Sequence, residues 1–125
     1  MNGLSIAERG YLGSMETTRS ERRSEYEVIA RITRKLRDAA RAQKTDYPGF
    51  VEALDLNRQL WQIFAIDVAD DQNPLPQELR ARIFYLAEFT ETHTRKVLRD
   101  KVSIMPLLEV NMAVLRGLKP EGSVT

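Results

Sequence analysis

The chain has no cysteine, one histidine and one tryptophan. Without thiols there is no disulfide framework, no thiolate chemistry and no thiolate metal site. The lone imidazole, His93, has no second imidazole to complete a typical zinc site, and no serine motif around it suggests a nucleophile and base. It reads as a structural or surface residue. No apolar run is long enough to span a bilayer. The start, MNGLSIAERGYLGSM, lacks the basic region and unbroken apolar core of a signal peptide, so a cytoplasmic protein is expected. There is no glycine-rich phosphate loop and no carboxylate pair spaced as in a catalytic cleft. Nothing here points to an enzyme, a metal or a cofactor. Nor does any segment alternate apolar and polar residues between turn signals, as a strand would.

What is present is helical pattern. With 125 residues, 42% of them hydrophobic and 30% charged, one domain is expected, burying roughly two-thirds of its unfolded surface. The net charge is only +1, but the signs are segregated. Arg19 to Lys44 holds nine basic and four acidic residues, whereas Asp46 to Asp71 holds six acidic residues and Arg58 alone. Such a division suits two helices lying side by side, although exposed ion pairs contribute only about 0–1 kcal/mol each.

Residues 1–17 are rich in Gly, Ser and Thr and read as a loose arm, followed by a bundle over residues 18–118 and a frayed tail over 119–125. Ser20 or Ser24 can cap a first helix, which carries Tyr26, Ile29, Ile32, Thr33, Leu36 and Ala40 at helical spacing. Asp46 before Tyr47-Pro48-Gly49 starts a second helix, reaching about Asp70. Pro74 breaks it, and Pro76 restarts a third helix, with Leu79, Ile83, Leu86, Ala87, Thr90 and Val97 on one face, that ends near Leu98–Lys101. Ser103 caps a fourth, buried along Leu107, Leu108, Asn111, Leu115 and Leu118. An all-α fold, a small bundle of four helices, is the expectation.

The second helix is the unusual one. Phe50, Val51, Leu54, Trp61, Phe64, Ala65 and Val68 form one apolar stripe, yet Leu56, Leu60, Ile63 and Ile66 lie off it. A helix that is apolar on so many sides is either central in a bundle or offers a second face to a partner, including a second copy of itself in a homodimer. Asn57, with Arg58 beside it, stands one turn before Trp61. A buried asparagine must find partners. One solution is an internal polar bridge, for instance to Asn111. The other is that both asparagines grip the backbone of an incoming peptide. Asp67, Asp70, Asp71 and Asn73 superficially suggest calcium ligands, but the segment lacks the glycine and closing Glu of an EF-hand, and turn chemistry explains it. The basic face Arg31, Arg34, Lys35, Arg37 and Arg41 invites an RNA reading, although aromatic residues for base stacking are missing beyond Tyr26.

Five blocks, SEYEVIARITRKL, ALDLNRQLW, DVADDQNPLPQELRARI, HTRKVLRDK and PLLEVNMAVLRGL, together resemble the flagellar biosynthesis regulator FlaF family of alphaproteobacteria, over roughly Glu16 to Leu118. The opening SERRSEYE is unusually basic for that family. The resemblance implies a non-enzymatic role in flagellin production and filament assembly. It implies flagellin as a chaperone-like client, with the regulator FlbT as a further partner. Flagellin contact is then expected through Leu54, Asn57, Arg58, Trp61 and Phe64 of the second helix and Asn111 of the fourth. The alternative is contact with flagellin mRNA through the basic face of the first helix.

Overall fold

The sequence Asp46-Tyr47-Pro48-Gly49 begins a helix because each residue suits its place. The Asp46 carboxylate accepts from the Gly49 backbone N–H at 3.0 Å, and Pro48 sits in the first turn, where no N–H is needed. A Cβ at Gly49 would collide with that same carboxylate, so the cap requires glycine. The computed structural model describes residues 6–118, with side chains described over 23–117. It contains four helices: α1 (Ile6–Arg41), α2 (Tyr47–Ala69), α3 (Gln77–Asp100) and α4 (Met105–Leu118). All described regular structure is helical, as the periodicity predicts.

The helix boundaries match the expected stop signals with one difference. Backbone is helical from Ile6, so Ser20 and Ser24 lie inside α1 instead of capping it. A glycine or serine inside a helix costs up to about 1 kcal/mol relative to alanine, too little to stop a helix propagating through it. The side chains of the expected arm and the tail 119–125 lie outside the described residues. Among described side chains, burial in α1 begins at Ile29, so the bundle packs on the carboxyl half of that helix. The α3–α4 turn uses Lys101 in the left-handed conformation, φ 56°, with its N–H on the Val97 carbonyl. Ser103 Oγ then accepts from Met105 N at 3.0 Å, the expected cap.

Short connections make successive helices antiparallel neighbours. α1 packs on α2 and α4, and α3 packs extensively on α2 and thinly on α4, so α2 and α4 sit on one diagonal. The core has two parts. Leu36, Phe50, Ala53, Leu54, Val97 and Leu107 fill one end, and Ile29, Ile32, Leu60 and Leu115 fill the other, with Tyr26 and Phe64 at its margin. At about 1.5 Å per residue, the 14 residues of α4 are far shorter than the 24 of α3. α3 is accordingly buried only at Ala87, Thr90, Thr94 and Val97, and the expected core residue Leu79 is 40% exposed.

Candidate functional site

Between the two apolar clusters lies a layer of buried amides and hydroxyls. Trp61 Nε1 donates to Asn111 Oδ1 at 2.8 Å. Asn111 Nδ2 donates to Asn57 Oδ1 at 2.8 Å and to Thr33 Oγ1 at 3.0 Å. Thr33 in turn donates to the Ile29 carbonyl. Trp61, Asn57 and Asn111 are fully enclosed, so the internal bridge drawn between the two asparagines is realised, with Trp61 and Thr33 as further members. Thr33 looked like one more residue of an apolar stripe, and the sequence gives no signal for its role beyond a hydroxyl at a core position. Thr90 and Thr94 of α3 are also buried. Thr94 donates to the Thr90 carbonyl, whereas the Thr90 hydroxyl and Asn57 Nδ2 have no hydrogen-bond partner.

The six residues expected at a partner site are therefore divided between interior and surface. Leu54 belongs to the first apolar cluster, and Asn57, Trp61 and Asn111 to the polar layer, all four buried. Phe64 is half-buried and meets Trp61 edge-on, ring centroids 5.3 Å apart. Arg58 is half-buried at the α2–α3 seam, 2.7 Å from Asp55 and 3.6 Å from Glu91. The hydrogen bond from Arg58, followed by that from Gln59, holds the Asp55 carboxyl below its ordinary pKa. The Asp55 hydrogen bond raises Arg58 in the same way.

Outside this seam is a shallow open groove of about 190 Å³, lined by Arg58, Trp61, Gln62 and Ala65 of α2 and by Ala87, Glu88 and Glu91 of α3. Two of the apolar residues that lay off the α2 stripe point outward. Ile63 is 63% exposed and Ile66 74%. On α3, Phe84 and Tyr85 are exposed as well. Leu60, by contrast, turns inward and is buried, and Leu56 is half-buried.

The remaining candidates have structural work. Asp70 Oδ1 accepts from Gln72 N, Asn73 Nδ2 donates to the Asp67 carbonyl, and Asn73 Oδ1 accepts from Leu75 N, which is turn chemistry. Arg80 reaches back from α3 to the Val68 and Asp70 carbonyls, both at 2.9 Å, and closes the carboxyl end of α2. Nothing in the sequence marked Arg80 for that task. His93 stacks on Phe89 and donates through Nε2 to the Ser103 carbonyl at 2.8 Å. Among the described residues no group of three His, Asp or Glu side chains could hold a metal ion, and no helix is long and apolar enough to cross a membrane.

The fold is an antiparallel four-helix bundle with exposed apolar side chains on α2 and α3. The chain belongs to the flagellar protein FlaF family, whose model matches residues 7–118. Its role is accordingly regulatory, in the biogenesis of the flagellum. No curated protein and no solved structure matches it.

Proposed function

We propose that this chain carries out its regulatory role by binding flagellin before export, in chaperone-like fashion, with FlbT as a further partner. The observation that carries the reading is the outward placement of Ile63 and Ile66 on α2, a helix that already supplies the core from its other sides. Amphipathic segments that bury their apolar face only on assembly need such a surface beforehand. Arg58 and the edge of Trp61 contribute the groove beside it, and Phe64 buttresses the indole. Leu54, Asn57 and Asn111 act from beneath, fixing the position of α2. The test is capture of flagellin by purified protein carrying Ile63→Asp and Ile66→Asp together. Capture is lost while the thermal melt stays where it was. Normal capture by the folded double variant would refute this use of α2.

A second reading has its own observation: Arg31, Arg34, Lys35, Arg37 and Arg41 are all exposed along α1. As a surface for flagellin mRNA they give an affinity that falls steeply with salt. Absence of binding to the leader RNA at low salt removes it.

A further inference from the structure

The α2–α3 groove has a definite layout, and with flagellin binding as its premise the layout specifies what the bound segment looks like. The antiparallel run of α2 and α3 that brings Arg58 to Glu91 also sets Ala65 and Ala87 in the walls of one groove. Ala65 and Ala87 are the smallest side chains of the two walls, so an incoming residue can settle between them. Toward the α2–α3 turn the rim is apolar, with Ile66 and Phe84 exposed. In the opposite direction the α3 wall carries the carboxylates Glu88 and Glu91, and the α2 wall carries Arg58. Glu88 is exposed and takes part in none of the ion pairs formed by the described residues, whereas Glu91 is paired through Oε1 with Arg58 and Arg95 and its Oε2 is buried. Hole, apolar rim and acidic wall follow one another along one line.

We propose that this groove takes an amphipathic helix with a large apolar residue seated between Ala65 and Ala87, and a lysine or arginine about one turn away that reaches Glu88. The apolar residue fills the hole as a knob does in helix–helix packing. The basic residue supplies the missing counter-charge and fixes the direction in which the helix lies, because reversing it would place the cation against Ile66 and Phe84.

The experiment measures flagellin affinity for the full chain, for Ala65→Leu, which fills the hole, and for Glu88→Lys, which reverses the wall. Met112→Ala, on exposed α4 surface, serves as control. Both groove variants lose at least about tenfold in affinity with unchanged melts, the control binds as the parent does, and only Glu88→Lys lowers the salt dependence. Parent-like binding by both groove variants overturns the site while leaving flagellin binding intact. Absence of binding by the parent overturns the flagellin reading itself. Sedimentation of the parent gives a monomer; a dimer that Ala65→Leu dissociates would instead assign the groove to a second copy.

Discussion

The indole of Trp61 donates to the amide of Asn111 across the diagonal of the bundle, at 2.8 Å, joining two helices whose backbones make no close approach. Asn111→Leu removes this bond and the two that Asn111 donates, to Asn57 and Thr33. Trp61 Nε1 and Asn57 Oδ1 are then buried without partners. The expected loss of stability is about 3 kcal/mol, since each orphaned buried group costs about 1–3 kcal/mol. Urea unfolding followed by Trp61 fluorescence measures it. A loss below about 1 kcal/mol would mean that the layer relaxes or hydrates freely.

Lys101 pays a conformational penalty at the end of α3, where φ is 56°. A residue with a Cβ is disfavoured there by about 1–2 kcal/mol relative to glycine. Lys101→Gly should raise stability by about 1 kcal/mol, somewhat offset by the greater freedom of glycine in the unfolded chain. A variant melting at or below the parent temperature contradicts that account.

The cap of α2 gives a prediction of opposite sign. Gly49→Ala forces the Asp46 carboxylate away from its N–H, because the new Cβ occupies the carboxylate's place. The expected cost is about 1 kcal/mol, the usual worth of an N-cap. In the Asp46→Ala background the same substitution should cost nothing, which a double-mutant cycle reads directly.

Asp55 governs part of the acid limb. Its pKa is lowered in the folded chain, chiefly by Arg58, so its contribution is fully present above the unfolded carboxylate value and is lost as pH falls through the lower folded value. Asp55→Asn should therefore flatten the decline of stability below about pH 4 and leave the slope at neutral pH unchanged. Urea midpoints collected across that range test it, and superimposable acid limbs would contradict it.

The parts of this fold that local chemistry dictates could be read from sequence. Asp46 with Gly49, the Asp70–Pro76 turn and the Ser103 cap each depend on residues within a few positions of one another. The bridge between Asn57 and Asn111 was legible too, because two asparagines on apolar faces have few other ways to be satisfied. The start of α1 was not, since serines at a cap and serines inside a helix look alike when propensity differences are fractions of a kcal/mol. Leu79 read as core because periodicity reports a face, not whether a neighbour is long enough to cover it. The groove was invisible for a related reason. Ala65 and Ala87 form a hole only once the α2–α3 register sets them on opposite walls.

The shortness of α4 has a kinetic consequence. The amino half of α3 extends past α4, and among the described residues Ile63 and Ile66 of α2 and Phe84 and Tyr85 of α3 are already exposed, so a partner docking on them would meet side chains that need no rearrangement. Association with such a partner would be limited by diffusion and orientation, at about 10⁵–10⁷ M⁻¹s⁻¹, and differences in affinity would lie in dissociation. A newly made client would be covered as quickly as the two molecules can find each other.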